Sequence, residues 1–81
     1  MTTLAAIPTQ LQAGAQIRHY KGGLYTVVGH CLIEATLKTG ILYRAHQGDE
    51  NVVWMRPLEE FDQTVVTADG PVMRFAAVNA P

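Results

Sequence analysis

The stretch Leu24-Tyr25-Thr26-Val27-Val28-Gly29-His30-Cys31-Leu32-Ile33 decides how this chain folds. It is dense in β-branched and aromatic residues, which lose rotamer freedom in a helix and pack well on a pleated surface. Read with a period of two, Tyr25, Val27, Gly29, Cys31 and Ile33 share one face, and Leu24, Thr26, Val28, His30 and Leu32 share the other. Both sets are largely apolar, the pattern of a strand covered on both sides or set in a barrel wall. Gly29 inside the run predicts a bulge or a sharp bend, a device by which small sheets curl. The same residues exclude a helix over Leu24 to Leu32.

Outward from this strand, Lys21-Gly22-Gly23 reads as a turn, preceded by a short strand over residues 17–20. Residues 34–40 read as a hairpin loop and 41–46 as the third strand. Residues 47–51 form a polar turn, and 52–56 a fourth strand that Pro57 ends for want of an amide. Leu58 to Phe61 is too short for more than one 3-10 or helical turn. Residues 64–67 and 72–75 read as the arms of a last hairpin around Asp69-Gly70, with Pro71 predicted to lengthen its loop. The expectation is a mostly β fold: a small, strongly bent antiparallel sheet or SH3-like barrel of five to six strands. Residues 14–78 form its single domain, and 79–81 a tail. Residues 1–13 form a leader, whose Leu4, Ile7 and Leu11 are spaced to dock on the barrel or on a partner subunit. The expected core is Val27, Val28, Leu42, Val53, Trp54, Leu58, Phe61 and Phe75.

Composition narrows the function classes. Of 81 residues, 48% are hydrophobic and only 16% charged, which excludes a disordered chain. So small a domain buries its apolar surface with difficulty, so a homodimer or other homo-oligomer is predicted. The net charge of −1 argues against a nucleic-acid partner, although Arg18, His19 and Lys21 lie together. The single cysteine, Cys31, allows no internal disulfide and points to the cytoplasm; it reads as a small core hydrophobe. His19, His30, His46 and Cys31 match no zinc-site spacing, so neither a metal nor a cofactor is expected. No stretch has the length of a membrane helix, and the N-terminus lacks the basic region of a signal peptide.

Several segments together carry a resemblance. They are Arg18-His19-Tyr20-Lys21-Gly22-Gly23-Leu24-Tyr25, Tyr43-Arg44-Ala45, Gly48-Asp49, Trp54-Met55-Arg56-Pro57-Leu58-Glu59-Glu60-Phe61 and Arg74-Phe75. In this order they resemble a bacterial family known as domain of unknown function 1653, over about residues 14–76. The resemblance implies a compact, mostly-β, SH3-like domain found as a stand-alone protein, and it implies no activity. Where the family carries a His-x-Glu-Thr-like stretch, this chain reads Ile33-Glu34-Ala35-Thr36. A site built on that His and Glu would be altered or absent here.

Four arginines, Arg18, Arg44, Arg56 and Arg74, supply most of the positive charge, and strand arginines must be paired or face a ligand. Glu34, Asp49, Glu59 and Asp62 are the internal acids that could pair them. Otherwise the guanidinium forks suit a carboxylate or phosphate. Arg44 and Arg56 flank one turn and are expected to lie close together. Trp54 shares a strand face with Arg56, as core residue or as stacking wall. The candidate ligand site is therefore Arg18, His19, Tyr43, Arg44, Trp54 and Arg56. No catalytic motif is recognised; His19 or His30 with an acid stands alone without one. The reading is a non-catalytic binding or assembly module for an anionic small molecule or peptide. The alternatives are a nucleic-acid-binding barrel exposing Tyr20, Tyr25 or Trp54, and a purely structural oligomerisation domain.

Overall fold

The computed structural model describes residues 6–78. A 3-10 turn, Thr9–Leu11, precedes β1 (Gln16–His19), β2 (Leu24–Ile33), β3 (Lys38–Ala45) and β4 (Trp54–Pro57). A second 3-10 turn, Leu58–Asp62, leads to β5 (Thr64–Thr67), β6 (Gly70–Met73) and β7 (Phe75–Ala77). Five strands form one antiparallel sheet in the order β4-β3-β2-β1-β7, and β5 and β6 pair separately as a ribbon. The fold is thus mostly β, as expected. Among the described residues the sheet does not close into a barrel, because β4 and β7 remain its edges. No helix of the described residues is long and apolar enough to cross a membrane.

The bulge foreseen at Gly29 is present, and its effect reaches further than a bend. Val27 stands opposite Tyr43, but Gly29 stands opposite Leu42, so Val28 is the extra residue. An inserted residue reverses the alternation beyond it. Tyr25 and Val27 therefore face inward with Ala45 and Tyr43, whereas beyond the bulge His30 and Leu32 take the inner side and Cys31 and Ile33 the outer. The inner face is covered up to the bulge, where Val27 is buried and Tyr25 half-buried. Val28 at the bulge is exposed, and so is Leu32 on the inner side beyond it, which corrects the picture of a strand buried on both sides.

The core comprises Leu11, Ile17, Val27, Ile41, Tyr43, Phe61 and Phe75, with Ile7, Ala15, Tyr25 and Leu58 packed against it. Leu11 is part of this core, and Leu4 lies outside the described residues. Of the expected core, Val27, Phe61 and Phe75 are buried, Leu42 and Leu58 half-buried, and Val28, Val53 and Trp54 exposed. Trp54 is 54% exposed because it opens an edge strand, while Tyr43 opposite it fills the interior.

Turn chemistry accounts for the remaining departures. The turn after β2 spans only Glu34 to Leu37, so β3 begins three residues earlier than the glycine at position 40 suggests. Gly40 lies within β3, where a Cβ would meet Cys31 Sγ at 2.9 Å. In the ribbon, Thr67 pairs directly with Gly70, whose φ of 105° lets the chain reverse through Ala68 and Asp69 alone. Pro71 then stands opposite Val66, where the ladder needs no amide, so its loop is not lengthened.

Candidate functional site

Laid flat, the edge strands β4 and β7 would lie about 19 Å apart, four strand spacings. Yet the Arg56 guanidinium of β4 sits 5.7 Å from the ring centre of Phe75 on β7. The sheet therefore curls until side chains, rather than backbone hydrogen bonds, bridge its open seam. The site lies along this seam.

Phe75 is the platform. It stacks on Phe61 at 4.6 Å and meets His19, Tyr25 and Tyr43 edge-on at 5.0, 6.3 and 5.8 Å. His19 also lies against Tyr20, at 4.5 Å. Two local features aim these rings. His19 stands directly opposite Phe75 in the β1–β7 ladder. Pro57 turns the chain from β4 into the second 3-10 turn, which presents Phe61 and Glu60 to the seam.

Arg56 lies across this platform and donates from Nη1 to Glu60 Oε1 at 2.7 Å. Its Nε is buried without a hydrogen-bond partner, and so are the Nε of Arg74 beside Phe75 and the Nε of Arg44. Tyr43 first, and then Glu60, hold Arg56 more firmly protonated than a free guanidinium, against the opposing cost of burial. The Nδ1 of His19 accepts a hydrogen bond from the Lys21 amide at 3.2 Å, which leaves the neutral ring its proton on Nε2. Burial lowers the pKa of His19, and Arg56, Lys21 and Arg74 lower it further. Lys21 extends over the Tyr20 ring, 5.8 Å from its centre. The fields of Arg56, Lys21 and Arg74 thus all disfavour a charged imidazole, and Glu60 pairs with Arg56.

Of the candidate residues, the structure brings His19, Tyr43 and Arg56 together. Trp54 lies beside them on the inner face, opposite Tyr43. Arg18 and Arg44 are elsewhere: they stand opposite Leu24 and Thr26, on the outer face. Arg44 and Arg56 are therefore not neighbours, because Arg56 pairs with Ile41 and shares its inward side. The acid beside Arg56 is Glu60 rather than Glu59, which instead holds Lys38 at 3.2 Å. Sequence reasoning missed Lys21, Arg74 and Glu60 as parts of one cluster. The adjacency of Arg74 to Phe75 was the available signal. Elsewhere, Thr26 Oγ1 and His46 Nε2 lie 2.8 Å apart on the outer face. No group of three or more His, Cys, Asp and Glu among the described residues could hold a metal ion.

Comparison with known proteins gives a family without an assigned activity. The profile of the family described as protein of unknown function (DUF1653) matches residues 15–77. The chain is also similar to the crystal structure of a protein belonging to DUF1653 from Bordetella bronchiseptica. That structure is 28% identical, with a TM-score of 0.72, over 91% of this chain and 99% of the other. No curated protein matches at a significant level.

Proposed function

Since the chain belongs to the DUF1653 family, whose description assigns no activity, we propose from its own chemistry that it is a binding module for an anionic small molecule, held at the seam by Arg56, Arg74, Lys21 and His19. The observation that carries this reading is the imbalance of charge: Arg56 lies over the Phe75 ring that His19 also meets, Lys21 hydrogen-bonds His19 through its amide, Arg74 precedes Phe75, and Glu60 pairs with Arg56. The buried Nε–H groups of Arg56 and Arg74 have no hydrogen-bond partner, a condition that Arg44 shares on the outer face, so these donors support the reading and the charge imbalance carries it. Buried donors are ordinarily satisfied, and leaving one unpaired costs about 1–3 kcal/mol. A phosphate or carboxylate supplies acceptors and charge at once. The neutral His19 adds a donor from Nε2.

The test is thermal melting in phosphate, sulfate and citrate, against sodium chloride at matched ionic strength. At about one hundred times its dissociation constant a bound anion adds about 2.7 kcal/mol, which raises the Tm of so small a domain by several degrees. Lys21→Ala and Arg74→Gln should abolish the rise, and Arg18→Ala should leave it. A rise no larger than in chloride, or one that survives both substitutions, defeats the reading.

Assembly is a second reading, supported by the ribbon. Val66 is 85% exposed there, and Val72 and Met73 are exposed beside it. Analytical ultracentrifugation should find a homo-oligomer that Val66→Asp dissociates. A monomer at millimolar concentration would remove this reading.

A further inference from the structure

Resting on the anion reading above, we propose that the bound anion is a nucleoside monophosphate, with its phosphate at the Arg56 cluster and its base stacked on Trp54. Every other large ring of the seam is already engaged: His19, Tyr20, Tyr25, Tyr43, Phe61 and Phe75 each contact at least one of the others. Trp54, by contrast, has no ring against it among the described residues and is 54% exposed. It sits two residues before Arg56 on β4, and both stand opposite inward-facing residues, Tyr43 and Ile41. Two residues of strand span about 7 Å. A pentose spans a comparable length between its 5′-phosphate and its base.

The arrangement selects a mononucleotide over a nucleic-acid strand. A strand needs a track of positive charge along its backbone. Here the cations are gathered at one point, while Arg18 and Arg44 lie on the opposite face of the sheet. One phosphate is answered, and the next has no partner of its own. An indole face takes any base, since every base has a π-face, so stacking should add affinity with little base preference.

The test uses the fluorescence of Trp54, the one tryptophan in the chain, during titration with AMP, ribose 5-phosphate, inorganic phosphate and adenosine. AMP should quench Trp54 and bind at least tenfold more tightly than ribose 5-phosphate. Adenosine should bind far more weakly than AMP. Trp54→Leu should bring AMP down to the affinity of ribose 5-phosphate and leave phosphate binding unchanged. If AMP binds no tighter than ribose 5-phosphate in the wild-type protein, or leaves Trp54 unquenched, the nucleotide proposal fails while the anion reading stands. Adenosine binding as tightly as AMP overturns the assigned link between base and phosphate. If neither phosphate nor AMP binds, both readings fail together.

Discussion

Replacing Glu60 with glutamine should weaken the fold and strengthen the site. The Arg56–Glu60 contact is 2.7 Å long, and the two side chains are only 29% and 31% exposed. Such a pair lies between a surface ion pair, worth up to about 1 kcal/mol, and a buried charge-assisted hydrogen bond, worth about 1.5–3 kcal/mol. Glutamine keeps the shape and one acceptor, so a loss of about 1 kcal/mol is expected, and a Tm lower by about 4–8 °C. The carboxylate also opposes any anion drawn to the same guanidinium. At roughly 8 Å and an effective dielectric constant of about 20, that repulsion is about 2 kcal/mol. Its removal should raise phosphate affinity tenfold or more. Melting curves with and without phosphate at fixed ionic strength, with calorimetric titration, measure both effects. If Glu60→Gln binds phosphate no better than wild type, Arg56 serves only its internal partner and the charge argument is wrong.

Three further outcomes follow from the packing and the protonation. Ile41 is fully buried in the interior strand β3, so Ile41→Ala should cost about 2–5 kcal/mol in urea denaturation; Trp54→Ala should cost less than half of that, and the reverse order would mean the core is misassigned. Leu37 is 55% exposed with a φ of +59°, a conformation costly for any residue with a Cβ. Leu37→Gly should therefore stabilise by about 0.5–1 kcal/mol, and a lower Tm would refute the strain. Folding lowers the pKa of His19 below 6.5, so the unfolded chain binds the proton more readily. The stability this contributes is complete above the unfolded value and drains away as pH falls from there towards the folded one. Wild type should lose more stability than His19→Gln between about pH 7.5 and 5.5, and equal losses would contradict the lowered pKa.

How far the sequence could be read depends on which physical feature carried each part. Strand β2 was legible because ten residues of β-branched and apolar character admit little else. Gly29 announced the bulge, but not that the bulge would exchange the two faces beyond it, which depends on the register with β3. Trp54 was expected inside because of its size; its place on an edge strand follows from strand order, which local pattern does not encode. Four of the six arginine and aromatic site candidates came to the inner face: His19, Tyr43, Trp54 and Arg56. Arg44 did not, since residues flanking a turn share a face only when their register agrees. The Arg56–Glu60 pair needs the chain to leave β4 at Pro57 as a 3-10 turn, and Arg74 joins the cluster only once the seam closes. Both are products of curvature rather than of sequence proximity.

The central claim is that the seam cations await an anion, and the Nε–H signals of the arginines test it most directly. Arg56 and Arg74, and Arg44 on the outer face, carry buried Nε–H groups without acceptors, so in a 1H–15N spectrum of the labelled protein Arg44 is the matched control. Titration with inorganic phosphate should shift the Nε–H signals of Arg56 and Arg74, together with the imidazole of His19, along one saturable curve. The signals of Arg18 and Arg44, on the outer face, should stay in place. Signals that stay unmoved at Arg56 and Arg74, or equal shifts at all four arginines, would contradict the account.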